Sequence, residues 1–171
     1  MTFAEKLERA SKRTKDVRIL LNGELLTERD RLAEQVALAE TQATGWLGGS
    51  ADEARQALID FEDQIETEFV VVRIEELPQE KWRLIQAMNP VGDKKHPVDQ
   101  MYGFNAVAAA IDAVELSAVI VDGDETVKPT KKQWRQVWEA INAGDMARIT
   151  ETVVDLNEST GYMDYVRLGK R

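Results

Sequence analysis

The sequence predicts a mainly α-helical domain. A helical hairpin leads into a C-terminal helical bundle, with one small two-stranded β element over about 17–21 and 68–75. Three observations carry this expectation. Apolar residues recur at helical spacing through most of the chain. Only two short stretches have the β-branched, alternating character of strands. Capping and turn signals punctuate the rest at helix-sized intervals. At 171 residues the chain is long enough for one hydrophobic core. Residues 17–158 read as a single α-rich domain between a flexible N-terminal segment, 1–16, and a loose C-terminal tail, 159–171.

Taken in order, Phe3, Leu7 and Ala10 alternate with Lys6, Arg9, Lys12, Arg13 and Lys15, as in a short amphipathic helix that frays. Val17 and Ile19 then share one face of a predicted strand that Asn22-Gly23 ends. Thr27 to Asp30 resembles a capping box, and Leu25, Leu32, Val36, Ala39 and Ala43 follow as a narrow helical stripe. Gly45 to Ser50 breaks that helix. Ser50 to Glu53 is a full capping box for a second one, with Ala54, Leu58, Phe61 and Ile65 on one face. The two make an antiparallel hairpin over 25–66.

The next element, 68–89, is a strand feeding a helix. Phe69, Val71 and Arg73 alternate with Val70, Val72 and Ile74. Pro78 has no N–H to lose at the first turn, so it can open a helix, and Asn89-Pro90 closes it. Trp82, Ile85 and Met88 form its apolar face. An unpaired strand leaves backbone groups unsatisfied, so 17–21 and 68–75 are expected to pair. Residues 91–100 read as a polar loop.

A helical body spans 103–158. Phe104, Val107, Ala108, Ile111, Val114 and Ala118 make a wide apolar face in a helix expected from 104 to 120. Val121 to Pro129 reads as turn and loop. Thr130 to Gln133 is a capping box opening a helix with Trp134, Val137, Trp138 and Ile141 inward. Asn142-Ala143-Gly144 stops it, and Asp145 caps a last helix carrying Met146, Ile149, Val153 and Leu156.

Composition narrows the functional classes. Without cysteine there are no disulfides, thiolate metal sites or thiol nucleophiles. A net charge of −9 repels nucleic acid and anionic lipid. No apolar run approaches the ~20 residues that cross a bilayer, and Met1 to Lys6 lacks the apolar core of a signal peptide. The cytoplasm is the expected location. His96, the one histidine, has no assignable serine or acid partner, so neither catalysis nor a metal or other cofactor is expected. Asp122 to Glu125 lacks the ligand spacing of a calcium loop. The last two helices mimic helix-turn-helix, yet Asp145, Glu151, Asp155 and Glu158 would repel phosphate.

Two surfaces stand out for partner binding. Trp46, beside Leu47 at the glycine-flanked hairpin tip, either plugs the turn or contacts a partner. An acidic cluster includes Asp63, Glu66, Glu75 and Glu76 and reads either as a solvated face or as a dock for a basic partner.

Four blocks in this order resemble the tail assembly chaperones of long-tailed phages of actinobacteria. They are Val17 to Leu25 with the charged hairpin, Phe69 to Pro90, Phe104-Asn105 opening an Ala-rich helix, and Gln133 to Asn157. The resemblance covers roughly 17–157 and leaves the first 16 residues unmatched. It implies a non-enzymatic chaperone in the host cytoplasm. Such a protein binds the long, helical, aggregation-prone tape measure protein before tail tube subunits polymerise around it, and is absent from the finished virion. Further partners to consider under it are the tail tube protein, a longer frameshifted form of the chain itself, and a homo-oligomer. The rival expectation is a structural tail or neck protein that stays in the particle.

Overall fold

The alternating strands find each other. In the computed structural model, which describes residues 2–8, 11–42, 49–93 and 96–158, β1 (Thr14–Leu20) pairs antiparallel with β2 (Phe69–Glu75). Leu20 lies opposite Phe69 and Thr14 opposite Glu75. The strand starts three residues earlier than predicted, so part of the basic N-terminal run is sheet; ahead of it Phe3–Glu8 forms a short helix, α1.

The sheet does not stop at two strands. β3 (Val119–Asp122) pairs with the far side of β2, and β4 (Glu125–Val127) returns along β3, giving a four-stranded antiparallel sheet in the order β1-β2-β3-β4. This corrects the mainly α expectation: the fold is a mixed one, in which helices pack on a four-stranded sheet. The predicted helix over 104–120 overran because Ala118 to Val121 is an unbroken apolar run following directly on the helix, and such a run does not distinguish helix from buried strand. The helix ends at Ser117, and the backbone at Ala118 turns extended. The stretch read as a loop is a β-hairpin whose tight turn uses Gly123 at φ 54°, which favours glycine.

The helices are α2 (Gly23–Gln42), α3 (Gly49–Gln64), α4 (Gln79–Met88), α5 (Pro97–Tyr102), α6 (Ala106–Ser117), α7 (Lys131–Ala140) and α8 (Ala143–Glu158). α5 replaces part of the predicted polar loop. One face of the sheet, carrying Val17, Ile19, Val72 and Ile74, shares a core with Trp82 and Ile85 of α4, Trp134 and Val137 of α7, and Ile149, Val153 and Leu156 of α8. Ala106, Ala109, Ala110 and Ala113 of α6 are fully buried, so their small side chains let α6 lie close against α8. Trp82 meets Phe104 edge-on at 5.6 Å between centroids, and its Nε1 donates to Glu158 at 2.7 Å. Met88 and Val107, expected inside, are exposed.

Local caps were read correctly only in part. Thr130 and Gln133 do form the reciprocal capping box of α7. α2 begins four residues before Thr27, whose Oγ1 instead donates back to the Gly23 carbonyl at 2.9 Å. Ser50 lies inside α3, one residue after its start. At α8 the capping side chain is Asn142, which accepts from the Asp145 N–H at 2.9 Å.

Candidate partner-binding arm and its base

β1 ends where β2 begins, side by side, so everything between them leaves the sheet and returns to the same place. That excursion is α2 and α3 with a 3₁₀ turn, Glu66–Glu68. Among the described residues the two helices pack on each other and make only minor contact with the rest of the fold. No residue of either belongs to the buried core cluster. The pair is a helical arm set into the turn of a β-hairpin.

Two helices cannot enclose their own seam. Leu32 is buried, while Leu25, Leu26, Val36, Leu58 and Phe61 remain half-buried and Leu38 and Ile59 are exposed. Charge fixes the helix pair at its flanks. Arg29 donates to Glu62 and Arg55 to Glu40 across the two helices, at 2.8 and 2.7 Å. Arg31 pairs with Glu28 along α2 at 2.6 Å, and its guanidinium holds that carboxyl below the ordinary range. The arm's arginines are thereby used. Glu24, Asp30, Glu34, Glu53, Asp60 and Asp63 have no cation partner among the described residues. The arm therefore presents an incompletely buried apolar seam bordered by uncompensated carboxylates.

At the arm's base lies an open crevice of about 790 Å³ between the end of β1, the start of α2 and the N-terminus of α8. Apart from Asp30, its charged groups pair with one another. Arg18 pairs with Glu66 at 2.7 Å and lies over the Phe69 ring at 4.4 Å, and Arg148 pairs with the buried Asp145. Among the described residues no group of three or more His, Asp or Glu is placed to hold a metal ion. No described helix is long and apolar enough to cross a membrane.

The residues singled out from sequence fall in different places. Trp46 and Leu47 lie outside the described residues. Asp63 is exposed on the arm. Glu66 is at the base, on Arg18. Glu75 and Glu76 sit at the opposite end of β2, roughly 23 Å away for seven residues at ~3.3 Å each. There Glu75 pairs with Lys12 and Glu76 with Arg13, both at 2.9 Å. The acidic cluster is thus two separate groups, and Glu66, Glu75 and Glu76 each have a cation from the segment 12–18. Arg73, the base that lies within the same stretch of sequence, is assigned by the register to Asp16 instead, at 2.8 Å. Lys128, also missed, caps α6 by donating to the Leu116 and Ala118 carbonyls at 3.0 and 2.7 Å, and burial lowers its pKa.

The Arg13 guanidinium, by hydrogen bonding, holds the Glu76 carboxyl below its ordinary value of 4.5. Because the folded value is the depressed one, this pair stabilises the fold above the unfolded-state pKa and ceases to as pH falls through the folded one. Urea midpoints are therefore expected to drop between about pH 5 and 3, and Glu76→Gln should flatten that decline. An unchanged pH profile in the variant would show the pair contributes nothing.

Searches against protein-family models, curated proteins and solved structures gave no match.

Proposed function

We propose that this chain is a non-enzymatic tail assembly chaperone of a long-tailed phage. It binds tape measure protein in the host cytoplasm and keeps it soluble until the tail tube polymerises around it. The observation that carries this reading is the arm: a helical hairpin outside the core, with a seam its own two helices leave half-covered. An amphipathic helix of a long helical client can complete that seam in the manner of helix-in-groove recognition. The unpaired carboxylates beside it favour clients with lysine or arginine flanking the apolar stripe. The order of blocks across 17–157 supports the same assignment.

An assembly factor must leave, so mass spectrometry of purified particles is expected to find tape measure and tube proteins but not this chain. Its recovery at stoichiometric levels would identify it as a structural tail or neck protein.

A further inference from the structure

The sheet has two edges, and they differ. β4 is three residues long, the short kind of edge that resists pairing. β1 is seven residues long, and among the described residues no strand lies on its outer side. Which of its backbone groups face outward follows from two bonds. The Glu76 N–H donates to the Arg13 carbonyl at 2.8 Å, so odd-numbered residues of this stretch point their backbone groups at β2. The Arg18 carbonyl, on the even set, accepts from Arg148 of α8 at 2.7 Å, on the other side. Asp16 and Arg18 therefore offer N–H and C=O groups to the edge. An open groove of about 450 Å³, lined by Asp16, Val17, Arg18, Arg148, Glu151 and Thr152, runs along it.

We propose that this edge pairs with the same edge of a second copy, antiparallel about a dyad at Val17, joining two sheets into one. Charge selects both the occupant and the register. Pairing Asp16 with Asp16, or Arg18 with Arg18, would set like charges face to face. The dyad at Val17 sets Asp16 opposite Arg18 of the second copy, twice, and each of these pairs exchanges two backbone hydrogen bonds. Across the joined sheet Arg73, Asp16 and Arg18 of the second copy then form a row of alternating sign, continuing the Arg73–Asp16 pair already present. The helix beneath agrees. Arg148 is level with Arg18, and Asp155 bonds Lys15. The dyad thus brings Arg148 within about one strand residue, ~3.3 Å, of the level of Asp155 in the second copy. The Arg18 carbonyl has two lone pairs, so it can keep Arg148 while accepting the new strand. This pairing is independent of the tape measure reading.

Sedimentation of the full chain from low to high micromolar tests it. The wild type is expected to pass from monomer to dimer. Asp16→Arg and Arg18→Asp should each weaken self-association about tenfold or more, since each sets like charges opposite twice. Asp16→Arg also makes the chain less acidic, so general repulsion predicts the opposite change. An equimolar mixture of the two variants restores both opposite-charge pairs and should dimerise like the wild type. Asp16→Pro removes an outward N–H without touching the β1–β2 backbone ladder; it should keep the circular dichroism, unfold at the urea midpoint of Asp16→Ala, which loses the same Arg73 pair, and lose the dimer. A wild type that stays monomeric overturns the proposal. So does a dimer unaffected by either charge variant, a mixture that associates no better than its components, or association that needs an added extended peptide.

Discussion

Replacing residues 20–69 by Asn-Gly is expected to leave a folded body that no longer binds tape measure protein. The geometry is specific about where to cut. Odd residues of β1 form the hydrogen-bonded pairs with β2, so Ile19 and Val70 are such a pair and Leu20 and Phe69 are not. A two-residue type I′ hairpin closes on a hydrogen-bonded pair, which is why the turn must join Ile19 to Val70. The cut also removes Leu20 and Phe69, which would otherwise be bared once the arm is gone. Everything in the core cluster is retained. Circular dichroism and a cooperative urea transition should persist with the arm's helical signal subtracted, while co-purification of the client is abolished. Loss of cooperative unfolding would instead place the arm in the structural core.

Trp134→Ala is expected to have the converse effect, a stability loss of about 3–5 kcal/mol, as for large-to-small changes of buried aromatics. Trp134 is 1% exposed and stacks on Trp138 with centroids 5.3 Å apart and planes at 12°. Its removal leaves a cavity in the layer that joins α7 to the sheet and α8. At roughly 2–4 °C per kcal/mol for a chain of this size, the melting temperature should fall by about 6 °C at least. The indole Nε1 is buried with no hydrogen-bond partner among the described residues. Trp134→Phe discards that unsatisfied donor and should therefore cost clearly less than the alanine change. Leu38→Ala on the exposed side of α2 serves as the contrast: its stability should move by no more than ~0.5 kcal/mol. A melting temperature unchanged in Trp134→Ala would contradict the position of α7 in the core.

These expectations differ in how far sequence alone could reach them. Trp82, Ile85, Trp134 and Val137 were legible because their spacing matches one helical face. β1 and β2 were legible because Val17, Ile19, Val70, Val72 and Ile74 alternate. β3 was hidden by its position, since Val119, Ile120 and Val121 directly continue the apolar face of α6 with only Ala118 between them. The β-branched character of those three residues was the available signal, and Gly123 was the turn it pointed to. The arm's two helices were visible from their stripes. That they stand outside the core was not, because it depends on Leu20 meeting Phe69 across an excursion of nearly fifty residues. The same holds for the ion pairs. Lys12 with Glu75, Arg13 with Glu76 and Arg18 with Glu66 join residues far apart in sequence that only the strand register brings together. Of the acidic cluster, Glu66, Glu75 and Glu76 lie neutralised near the two ends of β2, whereas Asp63 stays uncompensated on the arm.

Co-expression with a phage tape measure protein tests the central proposal most directly. Tape measure protein that is insoluble alone should become soluble in the presence of this chain and co-purify with it. Tape measure protein equally insoluble with and without the chain, or soluble without ever co-purifying, would contradict a role as its chaperone.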